Sequence, residues 1–246
     1  MSNINTAITN ESVIPYIDSK LFQEKYNSKH TFAVGMLAVG NEVLMPEEYL
    51  GYLKLRASVY GEQTNMISLE DVRDDGTESD PDDDRSIHFG VIENCNNKAR
   101  VVGAMRLIVK SNLDSAPLPI EVFYPEIFKD SPIQLNAIEV SRYITRHEDP
   151  KEQSRLKWKL YPCVLAHIIL KNYGPTYAVV EEPLERGLTN SGVPLKRLQD
   201  PIYVPEYSAE NMPIVINTQK MAKDIRHSDP MAFEQHRKEP TSFIYY

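Results

Sequence analysis

Three acids, three arginines and one further glutamate are the residues whose types and spacing could do chemistry. Glu78, Asp80 and Asp83 stand in the segment EDVRDDGTESDPDDD over residues 70–84. Carboxylates held so close together need cationic partners, or one of them protonates. Arg56, Arg106 and Arg142 are the candidate partners, and three arginines with three acids would form a buried charge network around a shaped polar pocket. Each residue also has a plainer reading. An acidic run is often a solvated loop, and an arginine between Met105 and Leu107 can simply point outward from a strand. The alternating carboxylates, central Gly and terminal Glu of an EF-hand are missing, so no metal ligand set is assigned.

Glu139 and Arg142 share the segment IEVSR. A lone Glu there would by default lie on an edge-strand surface. On a central strand beside a cleft it would instead accept a proton from an attacking amine, with Arg106 and Arg142 nearby. Lys151, Arg155, Lys157 and Lys159 in KEQSRLKWK are either a solvated helix face or a landing patch for phosphate groups or an acidic partner protein. His88, His147 and His167 are isolated and receive no role. Cys95 and Cys163 have neither metal nor redox spacing and no obvious base partner for nucleophilic work.

The elements that must position these residues can be read from periodicity. Residues 31–39 form a strand, and a helix follows from Pro46 to about Tyr60 with Leu50, Leu53, Ala57 and Tyr60 on one face. After the acidic loop come strands at 87–93 and 100–110 joined as a hairpin, then 137–144. Ideal alternation puts Glu139 and Ser141 on the face opposite to Ile138, Val140 and Arg142. Residues 117–128 read as an aromatic, Pro-rich loop. A helix spans 150–173, with Pro162 starting or kinking its apolar half and Gly174 and Pro175 ending it. Further strands are expected at 177–181, 197–204 and 213–216, and further helices at 184–189, 220–226, 231–237 and 18–25. Residues 1–30 form a flexible or partly helical lead-in, and 31–246 a single domain. The order fits an α/β or α+β fold with one mixed sheet and helices on its faces.

Composition narrows the partners. The 246 residues carry a formal charge of −8, with 41% hydrophobic and 25% charged side chains, which is ordinary globular usage. Residues 70–84 hold nine acids against one base, the same excess as the whole chain, so the charge is local to one loop. An acidic pI near 5.3 argues against a nucleic-acid binder. The longest apolar run, 163–170, is interrupted by His167, and no transmembrane segment or leader pattern is seen, so a soluble cytoplasmic protein is expected.

Taken in order, Arg56-Ala-Ser-Val-Tyr60, Glu78-x-Asp80-x-x-Asp83, Gly103-x-x-Arg106-Leu107, Phe123-Tyr-Pro125 and Glu139-x-x-Arg142-Tyr143 resemble the acyl-homoserine-lactone synthases. The resemblance covers about residues 50–205. It implies a GNAT-like acyl-CoA N-acyltransferase fold whose mixed sheet opens in a V between strands 137–144 and 176–181. It further implies transfer of an acyl chain from a phosphopantetheine thioester, on acyl carrier protein or CoA, to a small amine acceptor in the manner of quorum-sensing signal synthesis. By similarity, Arg56, Glu78, Asp80, Asp83, Arg106, Glu139 and Arg142 make up the family's charged cluster, and Tyr60 and Phe123 its aromatic pocket.

The family's usual Trp after the helix aromatic is replaced near that place by Met66, which leaves the acceptor open between S-adenosylmethionine and an ordinary amino acid. An acetyl-CoA-dependent GNAT acetyltransferase and a non-catalytic GNAT-like binding module are the remaining alternatives. RHEDPKEQSR, where such acetyltransferases carry a Gly-rich loop, has no Gly and cannot easily wrap a diphosphate with backbone N–H groups. A carrier protein's single phosphate, met by Arg155, Lys157 or Lys159, is the preferred donor handle. No tightly bound cofactor or metal is expected. Residues 118–128 and the long helix should line the acyl tunnel, and Glu139→Gln or Arg106→Ala should abolish transfer with the fold intact.

Overall fold

The computed structural model describes residues 30–64, 66–95, 98–111, 116–228 and 244–245. The helices expected at 18–25 and 231–237 lie outside these residues. Apolar runs bounded by turn formers become strands: β1 (His30–Val39), β2 (Glu42–Val43), β3 (Ser86–Cys95), β4 (Lys98–Val109), β5 (Ile138–Thr145), β6 (Thr176–Val180), β7 (Leu195–Arg197), β8 (Ile202–Val204), β9 (Ala209–Ile216) and β10 (Ile244–Tyr245). The sheet runs β10-β1-β3-β4-β5-β6-β9-β7, with β2 on β1 and β8 on β9. The β5–β6 pair is parallel and its neighbours are antiparallel, so the sheet is mixed.

Helix α1 (Pro46–Arg56) starts on a proline and runs on into a π-helical turn, Ala57–Gln63, that carries Tyr60. Its inward residues are Tyr52, Leu53, Arg56 and Ala57, whereas Leu50, expected on that face, is 42% exposed. The helix is rotated to bring Arg56 under the acidic loop, because carboxylates taken from water require a cation more than Leu50 requires cover. The loop expected at 117–128 contains two helical turns, α2 (Pro119–Phe123) and α3 (Pro125–Phe128), each with a proline whose fixed φ suits the first position. Helix α4 (Pro150–Leu170) continues through Pro162 as one element. The strand expected at 197–204 is two short strands, β7 and β8, separated by a segment containing Asp200 and Pro201. Helices α5 (Glu182–Asn190) and α6 (Thr218–Ser228) complete the face that α4 covers. None of the described helices is long and apolar enough to cross a membrane.

The site depends on how β5 leaves β6. The two strands pair at Ile138↔Thr176 and Glu139↔Tyr177 and then diverge, β6 continuing beside β9. A bulge in β5 sets Arg142 and Tyr143 opposite the single residue Met105 of β4, between the pairs Ala104↔Ile144 and Arg106↔Ser141. Arg142 accordingly has φ +51, a left-handed conformation that costs an L-residue about 1–2 kcal/mol. Bulges bend and twist a strand, which opens the expected V.

Candidate active site

The acidic loop is held by its own sequence before any arginine reaches it. Asp80 caps the 3-10 turn Pro81–Arg85 by accepting from the Asp82 N–H at 2.9 Å, and the Asp83 carboxylate accepts from the Asp80 N–H at 3.0 Å. The spacing Asp80-Pro81-x-Asp83 is thus a reciprocal cap with proline at its preferred place.

All three predicted arginines converge on it. Arg56, fully buried, donates through Nε to Glu78 and through Nη1 to Asp83 Oδ1 at 2.7 Å. Arg106 Nη1 reaches Asp80 Oδ1 at 2.6 Å and Asp83 Oδ1 at 2.7 Å, while its Nε donates to Ser141 Oγ at 2.9 Å. Arg142 Nη2 lies 2.7 Å from Asp80 Oδ2 and 3.2 Å from Glu78 Oε1, with its guanidinium carbon 5.2 Å from the Tyr60 ring centre. Burial pushes the Asp83 carboxyl up, but Arg56 and Arg106 more than offset it and hold it well below the usual range. Asp80 is held down in the same way by Arg106 and Arg142. The oxygens are taken up by guanidinium N–H groups, so this loop is an ion-pair network and not a cation cage.

Arg142 on the acid side of the sheet corrects the ideal-strand expectation. The bulge inserts a residue between Ser141 and Ile144 and so brings Arg142 to the loop that Ser141 also serves. Arg106 likewise does not point outward; it is 1% exposed.

Between β5 and β6 lies a cavity of about 920 Å³. On the side of α4 and α6 its wall is apolar, including Val164, Leu165, Ile168, Ala178 and Met221; on the acid-loop side it includes Tyr60, Glu139, Ser141, Arg142 and Tyr207. Such division, apolar volume with few convergent polar groups, is the usual form of a small-molecule site. Glu139 sits at the vertex, 1% exposed, with Oε2 accepting from the Ile120 N–H at 2.8 Å. Burial away from water raises its carboxyl to about 8, against the lowering effect of that N–H. A carboxyl so placed is matched to taking a proton near neutral pH.

Of the sequence-predicted residues, Arg56, Glu78, Asp80, Asp83, Arg106 and Arg142 form one network, and Tyr60, Glu139 and Arg142 line the cavity. Phe123 does not line it. Its ring packs 5.1 Å from Tyr207, which does. Residues 118–128 are also absent from the cavity wall, because Leu118, Ile120 and Tyr124 fill a separate cluster with Ile108, Ile133 and Ala137. Of the basic side chains described at that helix start, Arg155 and Lys159 do not line the cavity: Arg155, 67% exposed in its side chain, pairs with Glu152 at 2.7 Å, and Lys159 lies 5.0 Å over the Phe32 ring, while the Lys157 side chain lies outside the described residues.

Sequence reasoning missed His88, Tyr207 and the Ile120 N–H. His88 lies 3.1 Å from the Tyr52 hydroxyl and 3.3 Å from the Asp83 carbonyl, and burial lowers its imidazole to about 4, so it braces the network as a neutral ring. Its place five residues after Asp83 was the available signal. Neither Tyr207 nor a backbone donor carries any signal in one sequence.

No protein-family model and no curated protein matches the chain. Solved structures do. The chain is similar to the CoA-dependent acyl-homoserine lactone synthase BjaI, solved with S-adenosylmethionine and isopentyl-CoA, at 18% identity over 80% of this chain and 88% of that one, TM-score 0.63. It is similar to the acyl-homoserine lactone synthase LasI at 16% identity over 78% and 91% of the two chains, TM-score 0.56. FeeM, an N-acyl amino acid synthase from uncultured soil microbes, matches at 14% identity over 78% and 95%, TM-score 0.50. The overall α/β fold, with its mixed sheet, is therefore an acyl-homoserine-lactone-synthase-like, GNAT-like fold.

Proposed function

We propose that the protein is an N-acyltransferase that moves an acyl chain from a phosphopantetheine thioester to the amine of a small amino-acid-like acceptor. The observation that carries this reading is the V between β5 and β6, apolar toward α4 and polar toward the acid loop, with Glu139 at its vertex. The acyl chain takes the apolar side. The β5 edge beyond Glu139 faces the cavity instead of a strand and offers backbone N–H groups to the thioester carbonyl oxygen. The acceptor amine attacks the carbonyl carbon, a C–N bond forms, the C–S bond breaks, and the amine proton passes to Glu139 or to a water it holds while the thiolate leaves. Cys163 does not line the cavity and its thiol is pushed up by burial, which favours direct transfer over an acyl-enzyme.

The acceptor's α-amino and carboxylate groups are matched by Asp80, partly open to solvent, and Arg142, whose Nε is buried with no partner among the described residues. S-adenosylmethionine and ordinary amino acids share those groups. Arg56, Arg106, Glu78 and Asp83 pair among themselves and with Asp80 and Arg142, and serve to hold those two in place. For the donor, the Asp149 carboxylate already caps α4 by accepting from the Lys151 N–H at 2.8 Å, which supports carrier protein over a CoA diphosphate at that helix end. Both donors and acceptors are cytoplasmic metabolites, and a lactone product would serve as a diffusible signal.

Incubating the protein with acyl carrier protein and CoA thioesters of graded chain length, with S-adenosylmethionine and a pool of amino acids, and reading products by mass tests this. Acylated acceptor is expected. No acylated product from any donor would return the chain to a binding module.

A further inference from the structure

The hydrogen bond on Glu139 comes from a five-residue turn, α2, too short to hold its own position. Two side chains outside the cavity wall hold it. Lys110, 6% exposed and immediately after β4, places Nζ 2.5 and 2.6 Å from the two oxygens of Glu121. Glu121 Oε2 in turn accepts from the Leu118 N–H at 2.8 Å, which ties the entry of the turn to the same ion pair. Lys110 is itself fixed to the start of β5, its N–H donating to the Ala137 carbonyl and its own carbonyl accepting from the Asn136 N–H, both at 3.0 Å. Upstream, Arg85 donates to the carbonyls of Ala116 and of Pro117, the latter at 2.7 Å, and holds Asp82 at 2.5 Å. The turn is thus fastened to the acid loop at one end and to the β4–β5 pair at the other.

A buried lysine–carboxylate pair is weak evidence of stability, since desolvation roughly cancels its attraction. Its position gives it another use. We propose that Lys110 and Glu121 are positioning residues, a clamp that sets the height of the 118–123 turn so that the Ile120 N–H stays on the Glu139 carboxylate. This rests on Glu139 being the proton acceptor of the proposed transfer. The other charged or titratable groups around Glu139 are Asp82 and Arg85 of the 81–85 turn, Arg106 of β4, Tyr207 after β8, and Tyr177 opposite it on β6.

Glu121→Ala separates position from charge. Removing a nearby negative charge by itself favours ionised Glu139, whereas losing the Ile120 N–H disfavours it. The clamp predicts that the ionisation midpoint of Glu139, read from its carboxyl infrared band by difference against Glu139→Gln, rises by about one pH unit in Glu121→Ala. It also predicts return close to wild type in Glu121→Gln, which keeps an acceptor for Lys110 and Leu118. A midpoint that falls or stays put in Glu121→Ala overturns the proposal. Should that variant not fold, Glu121→Asp decides: it keeps the charge but shortens the reach to Lys110 and Leu118, so the midpoint must still rise, and an unchanged midpoint overturns the clamp. Neither readout needs substrate. A protein that transfers no acyl group yet shows the shift refutes the function and keeps the clamp; an active enzyme without it does the reverse.

Discussion

Asp80, Asp83 and Glu139 lie within one site, all withdrawn from water though Asp80 keeps 22% of its side chain open, and burial has opposite outcomes for their protons. Glu78, Asp80 and Asp83 each contact an arginine, and burial loses to those cations at Asp80 and Asp83. Glu139 has the Ile120 N–H and no ion pair among the described residues, and burial wins. Depth of burial therefore does not by itself set which way a carboxyl's pKa moves here; the presence or absence of a guanidinium in contact does. The acids of the 78–83 loop hold Arg142 at the cavity, and Glu139 faces it without a cation in contact among the described residues.

The comparison breaks hardest at Glu139. Glu139→Gln is expected to lower kcat by about 10²–10⁴-fold, the usual worth of a general base, in the mass-resolved transfer assay. Wild-type kcat is expected to rise with pH toward about 8 as the carboxyl ionises, and that limb should vanish in the variant. The same substitution sharpens the stability contrast. A folded-state value near 8 against an ordinary 4.5 means that Glu139's contribution is complete below the lower figure and is lost as pH climbs through the higher one. Melting curves should then show Glu139→Gln more stable than wild type in alkaline buffer and equal to it in acid. Asp83 predicts the opposite slope, its contribution present above the unfolded value and fading as pH falls through its lowered one.

Next in size is the arginine set. Arg106→Ala takes one charged donor from each of Asp80 and Asp83 and a donor from Ser141 in a buried site, so a loss of about 3–5 kcal/mol in urea unfolding is expected. The sequence reading expects the fold to stay intact in Arg106→Ala; the burial of Arg106 adds a loss of stability to that expectation. A stability change within error would make the network ornamental. Smaller again is Leu188→Trp, which fills part of the apolar wall. Donors with long chains should lose about fourfold in kcat/KM for each methylene excluded, with short chains spared. An equal loss for all lengths would remove the chain from that lobe. Smallest is Arg155→Glu, a rim charge, expected to lower kcat/KM a fewfold with carrier-bound donor and not with acyl-CoA, and to lose that difference at high salt.

Much of this contrast was legible beforehand in residue types. The spacing Asp80-Pro81-x-Asp83 implies a capped turn, and acids in such number imply arginines, so their convergence followed from charge balance. Tyr60 at the end of the first helix was likewise readable. The assignment of Phe123 and residues 118–128 to the cavity failed because an apolar, Pro-rich segment fits a tunnel wall or a packed turn equally well; the cluster with Ile108 and Ala137 claims it. The position of Arg142 failed because period-2 alternation assumes a regular strand, and nothing in IEVSRYIT marks an Arg at φ +51.

By itself the sequence determined the ingredients: one mixed α/β sheet, an acid loop needing three cations, and a glutamate on a central strand. Local rules suffice there, since caps, prolines, periodicity and charge balance act over a few residues. Which carboxylate is left without a guanidinium was settled by the tertiary structure. That depends on the β5 bulge that swings Arg142 to the acids, on the parting of β5 from β6, and on a backbone N–H at Ile120 brought to Glu139 from 19 residues away. These are contacts between distant segments, and the energies that set them, desolvation against ion pairing, exist only once the chain has closed around the site.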